Sequence, residues 1–129
     1  MLDTHIVARW LSDPQRLSRE QARILHEAVR HREPVAISAI TLLELAMLFS
    51  GGAVKIKLSM DELFGELEAS PAFHILPLTS DIAKEVYYLG ATLHDPAGRV
   101  IVATARFHGL RLLTSDQRII QSKTVSTVE

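Results

Sequence analysis

Residues 94–119, HDPAGRVIVATARFHGLRLLTSDQRI, decide the fold. Asp95-Pro96 supplies a side-chain acceptor followed by a fixed φ, which is how a helix is commonly started. The run from Val100 to Ala105 is apolar on almost every face, which predicts a helix buried against a sheet rather than lying along the surface. Gly109 suits the left-handed residue just past a helix end. Leu110 to Thr114 is short, apolar and bounded by turn formers, the pattern of a buried parallel strand. Ser115-Asp116 follows at the carboxyl end of that strand, where ligands bind in open α/β sheets.

Working outward, the same alternation recurs. Thr79 and Ser80 offer caps for a helix with Ile82, Val86, Leu89 and Leu93 along one stripe, and residues 73–78 before it read as a strand. Ser59 with Glu62 makes a capping box for a helix to about residue 70. Residues 35–38 form another short strand, leading into a helix over 40–50 that Gly51-Gly52 closes. Ser18 with Gln21 opens a helix to about residue 32, with Ala22, Leu25 and Val29 as its expected apolar face. Met1-Leu2-Asp3 is a stub of strand running into a helix over 4–11, and the tail 124–128 is expected as an edge strand after a helical turn at 117–121. Strands alternating with helices predict an α/β chain: a single-domain, three-layer α/β/α sandwich over 1–129, with a mostly parallel sheet of four or five strands.

Composition narrows the class. The 129 residues suit one domain with an adequate core. The lack of cysteine excludes a disulfide framework and any thiolate metal site, and suits a reducing cytoplasm. No apolar run approaches the roughly 20 residues of a membrane span, and Asp3 sits where a signal peptide would be basic or apolar. The expected location is therefore cytoplasmic, away from membranes. Fourteen Lys and Arg against 15 Asp and Glu leave a formal charge of -1, so any contact with nucleic acid must come from a local cationic patch.

The acids carry the sharpest signal. Glu44 is the lone charge between Glu33 and Lys55, and a buried carboxylate without a partner would cost several kcal/mol. It must pair, neutralise, bind a cation or lie at a wet edge. Asp3 and Asp116 end strands and also suit caps or turns, and Asp95 is explained by capping alone, with a ligand role left open. All four fall on the same side of a parallel sheet. Clustered carboxylates repel one another unless protons or cations compensate, and all-oxygen donors select Mg²⁺ or Mn²⁺ over zinc. Asp13, Asp61 and Asp81 fit turns or first helical turns. No histidine has a ligand spacing, and His94 reads as an exposed loop residue.

Leu2-Asp3-Thr4-His5, Ser38-x5-Glu44, His94-Asp95-Pro96-x2-Arg99-x2-Val102-Ala103-x-Ala105 and Leu113-Thr114-x-Asp116 together resemble, in order and spacing, the motifs of PIN-domain ribonucleases. The similarity is strongest to the VapC-like toxins of bacterial toxin-antitoxin pairs. It implies carboxylates that hold Mg²⁺ or Mn²⁺ and hydrolyse RNA phosphodiesters, a homodimer, and an antitoxin that covers the site. By position, Asp3 and Glu44 match the first two acidic ligands and Asp116 the last. One position departs: similar proteins read Asp-Pro-x-Asp-Arg, and here the second aspartate is Gly98, engineered or natural. Arg99 and Arg106, seven residues apart on one helix, are candidate phosphate contacts, with Arg9 and Arg118 beside them. An alternative is a PIN-like binding module, impaired by Gly98, that still binds antitoxin or RNA. A phospho-acceptor receiver domain is disfavoured, because no adjacent acidic pair follows the first strand.

Overall fold

The computed structural model describes all residues, 1–129. Helix α1 (Thr4–Ser12) and a 3₁₀ turn (Pro14–Arg16) precede α2 (Arg19–His31), strand β1 (Val35–Ser38), α3 (Ala39–Ser50) and α4 (Met60–Ala69). There follow β2 (Phe73–Leu76), α5 (Ser80–Tyr88), α6 (Pro96–Phe107), β3 (Leu112–Leu113), α7 (Gln117–Ser122) and β4 (Thr127–Val128).

β1 pairs in parallel with β2, and β3 with β4. Leu2 joins the two ribbons, bridging in parallel to Ile37 on one side and Leu113 on the other. Its amide donates to Ala36 O at 2.9 Å, and the Asp3 amide donates to Leu113 O at 3.0 Å. The spatial order is therefore β2, β1, Leu2, β3, β4, all parallel. The stub of strand at the N-terminus is the middle of the sheet, and Asp3 leaves it at the carboxyl edge.

Neighbouring strand residues point to opposite faces, and two cores result. Leu2, Ile37, Leu113 and Val128 pack with Ile6, Leu25, Leu45 and Leu63 from the first four helices. Leu112 turns the other way, into Ile82, Leu89, Leu93, Ile101 and Ile119 around α5, α6 and α7. The sheet is thus the middle of three layers. In α6 five successive residues, Ile101 to Ala105, are buried, as a helix apolar on every face requires.

Some expectations shift. The buried face of α2 is Gln21, Leu25 and Ala28, while Val29 is 57% exposed; a buried amide takes the place of an apolar residue because it finds partners at the sheet edge. α5 stops at Tyr88, with Gly90 at φ 63°, and Leu93 is buried from the loop rather than the helix. β2 ends at Leu76 because Pro77 has no N–H to continue the ladder. β3 covers two residues of the expected five, although Thr114 N still donates to Val128 O at 3.1 Å. No helix is long and apolar enough to cross a membrane.

Candidate active site

The carboxyl edge of the sheet is organised by two threonine hydroxyls. Thr114, at the end of β3, donates from Oγ1 to Asp3 Oδ2 at 2.6 Å in a buried bond. The same oxygen accepts from the Asp116 amide at 3.0 Å. One hydroxyl thereby joins the side chain of Asp3 to the backbone of Asp116. Thr4, at the start of α1, donates to Glu44 Oε1 at 2.6 Å and lies 3.2 Å from Thr41 Oγ1. The Thr4 hydroxyl has one proton to give, and the shorter bond, to Glu44, is the one it serves.

Asp3 is 6% exposed and Glu44 is half-buried. Burial holds the Asp3 carboxyl above the usual range, opposed by the Thr114 bond, while the Asp116 charge adds to the rise. Burial also raises Glu44, against the Thr4 bond, and the Asp3 and Asp95 charges push the same way. These acids therefore feel one another across three segments. Asp116 behaves oppositely: Arg118 donates to both its oxygens, from Nε at 3.2 Å and Nη2 at 2.9 Å, and holds it below the usual range.

Asp95 caps α6, its Oδ2 accepting from Gly98 N at 2.7 Å. A Cβ at position 98 would lie 2.9 Å from that oxygen. His94, Asp95, Gly98, Asp116 and Arg118 line a cleft of about 120 Å³. As the side chains stand, no three acidic or histidine groups converge on a point that one cation could fill. The reason is visible: Asp116 is turned onto Arg118 and Asp95 onto its own helix.

The four candidate arginines separate. Arg9 Nη1 donates to Ser115 Oγ at 2.9 Å, at the rim of this corner. Arg118 sits on Asp116. Arg99 is occupied elsewhere, donating to Leu93 O at 2.8 Å and Val86 O at 2.9 Å. Arg106 Nε lies 3.3 Å from Glu85 Oε2, an ion pair without a hydrogen bond, and that buried oxygen has no other partner.

The model of the PIN domain matches residues 1–124 of this sequence. The chain belongs to the PIN-domain family. It is 32% identical over 120 residues to Ribonuclease VapC22 of Mycobacterium tuberculosis (strain ATCC 25618 / H37Rv), covering 92% of this chain and 88% of that protein. Its fold is similar to that of FitAcB from Neisseria gonorrhoeae, with a TM-score of 0.71 and 25% identity over 99% of this chain and 95% of the other. It is also similar in fold to a toxin-antitoxin complex from Klebsiella pneumoniae, at a TM-score of 0.63 and 24% identity over 99% and 94% of the two chains. As a PIN domain it has the α/β/α sandwich that the alternation of strands and helices predicts.

Beyond the acids and arginines, other residues build this corner of the PIN fold. Thr4 follows Asp3 directly and Thr114 precedes Asp116 by two residues, so a threonine close to each strand-end aspartate was the available signal. His5 is exposed, yet its charge acts on both Asp3 and Glu44. Gln21 reaches Thr114 from α2, and nothing in its local sequence points there. The donors gathered here are carboxylates and hydroxyls, without sulfur, a set that suits a hard divalent cation.

Proposed function

We propose that this chain is a toxin-type endoribonuclease of the VapC kind, hydrolysing RNA phosphodiester bonds and neutralised by a cognate antitoxin. The carrying observation is that the Thr4 and Thr114 hydroxyls tie Asp3, Glu44 and the Asp116 backbone into one corner of the sheet edge. Asp3, Glu44 and Asp116, with Asp95 beside them, would hold Mg²⁺ or Mn²⁺. Bound there, such a cation would supply Lewis acidity, to lower the pKa of a water and to offset charge building on a phosphorane-like transition state. The protein's own part is to keep Asp3 and Glu44 aimed, through two short hydroxyl bonds, and to exclude water from behind Asp3. Arg9 spends one of its donors on Ser115 and keeps the others for a phosphate.

The antitoxin partner follows from the VapC resemblance. A homodimer is supported by the 47% hydrophobic content and by large apolar side chains left exposed, Leu43, Met47, Tyr87 and Tyr88 among them. The cytoplasm fits a chain without cysteine.

Gly98 favours a second reading, a PIN-like module that binds antitoxin or RNA and cuts poorly, because it offers no carboxylate where similar proteins carry one. Cleavage of single-stranded and structured RNA, with and without Mn²⁺, separates the two. Metal-dependent cutting that Asp3→Ala abolishes supports the nuclease. Silence in this chain with activity in Gly98→Asp supports the impaired module. If neither protein cuts any RNA offered, the ribonuclease assignment fails.

A further inference from the structure

We infer that Gln21 is a positioning residue for this corner: its buried amide grips the Thr114–Ser115 turn from behind and so aligns Asp3, Asp116 and Arg9 together. Gln21 is fully buried on α2. Its oxygen accepts from Ser18 N at 3.1 Å, and its own backbone N–H donates to Ser18 Oγ at 3.1 Å, which completes the capping box. The cap uses only the oxygen. Two N–H groups remain on Nε2, and a buried donor without an acceptor is costly.

Every acceptor Nε2 reaches lies at the carboxyl end of β3 or β4: Thr114 O at 3.2 Å, Ser115 Oγ at 3.4 Å and Val128 O at 3.5 Å. Thr114 is thereby gripped by its carbonyl from Gln21 and by its amide from Val128 O. Its hydroxyl passes that placement to Asp3 Oδ2 and to the Asp116 amide. Ser115 Oγ, the second acceptor, also receives Arg9 Nη1 at 2.9 Å. One side chain thus braces two of the acids and an arginine beside them. A glutamate would serve the cap equally well, so the amide nitrogen is the part that only this bracing requires.

The inference rests on the proposed nuclease site only where cation affinity is measured; the bracing itself is tested separately. Gln21→Met deletes the donor outright; Gln21→Glu keeps the cap acceptor, deletes the donor when read at a pH where its carboxylate is ionised, and carries the test should Gln21→Met not fold. Ser18→Ala weakens the cap and leaves Nε2 in place. Amide hydrogen exchange at Asp116, Mn²⁺ titration and melting temperature are measured on all of them. The Gln21 variants should lose exchange protection at the Asp116 amide and bind Mn²⁺ about tenfold more weakly, the lower end of what outer partners of ligands contribute. Ser18→Ala should melt earlier with both other readings unchanged. Wild-type protection at Asp116 in the Gln21 variants, or an equal loss in Ser18→Ala, overturns the inference. Lost protection in a protein whose parent binds no Mn²⁺ supports Gln21 and sinks the cation site instead.

Discussion

Gly98 and Asp95 share one small space. Asp95 Oδ2 bonds the Gly98 amide, and a Cβ at 98 would lie 2.9 Å from it. Gly98→Ala should gain about 1 kcal/mol of helix propensity and push the Asp95 carboxylate off part of a cap worth about 0.5–2 kcal/mol. Urea unfolding is therefore expected to change by less than about 1 kcal/mol. Gly98→Asp adds a like charge as well, so its metal-free form should be less stable than the parent. Asp3 and Glu44 set the pH response. Both are held above the usual carboxyl range, so the stability they contribute is fully present below that range and is lost as pH rises through their raised values. Asp3→Asn should therefore raise the metal-free melting temperature at neutral pH and flatten its fall from acid to neutral pH. Asp116 works in the other direction, losing stability as pH falls, and its pairing with an arginine 76% exposed makes that contribution small.

Among the elements, the connection from α5 to α6 decides where Asp95 stands, and Arg99 holds it. Its guanidinium donates to Val86 O in the last turn of α5 and to Leu93 O in the loop. Bonds from a charged donor contribute about 1.5–3 kcal/mol, less where water reaches the group, and Arg99 is half-buried. Arg99→Ala is expected to cost about 1–2 kcal/mol in metal-free urea unfolding, and Arg99→Lys to recover only part, since a single ammonium cannot span both carbonyls as a fork does. A residue free to bind phosphate would show no such loss. Arg106→Ala, breaking a partly exposed ion pair, should cost under about 1 kcal/mol.

For the molecule as a whole, binding to the native state alone raises stability. Mn²⁺ at about 100 times its dissociation constant should add about 2.7 kcal/mol, seen as a rise in melting temperature that Asp3→Asn removes. The exposed Leu43, at 57%, and Met47, at 65%, lie one turn apart on α3, next to Glu44. Light scattering at micromolar concentration should give twice the monomer mass; monomer alone would count against the homodimer.

Local chemistry was legible in the residues themselves. Asp95-Pro96, Ser18 with Gln21 and Ser59 with Glu62 start helices through bonds that span three residues, and the structure has all three. Hydrophobic period separated strands from helices, and it put Asp3 and Asp116 at the carboxyl ends of strands. Sequence spacing did not show what these groups bond to. Thr114 meets Asp3 across 111 residues, Thr4 meets Glu44 across 40, and Gln21 meets Thr114 across 93. Arg99 offers the same donors to a phosphate as to two carbonyls, and packing of α5 against α6 made the choice. A donor's partner depends on which strands become neighbours, and here Leu2 joins the sheet between β1 and β3. That placement follows from burying both faces of the sheet at once, a demand of the whole chain that no short stretch of it states.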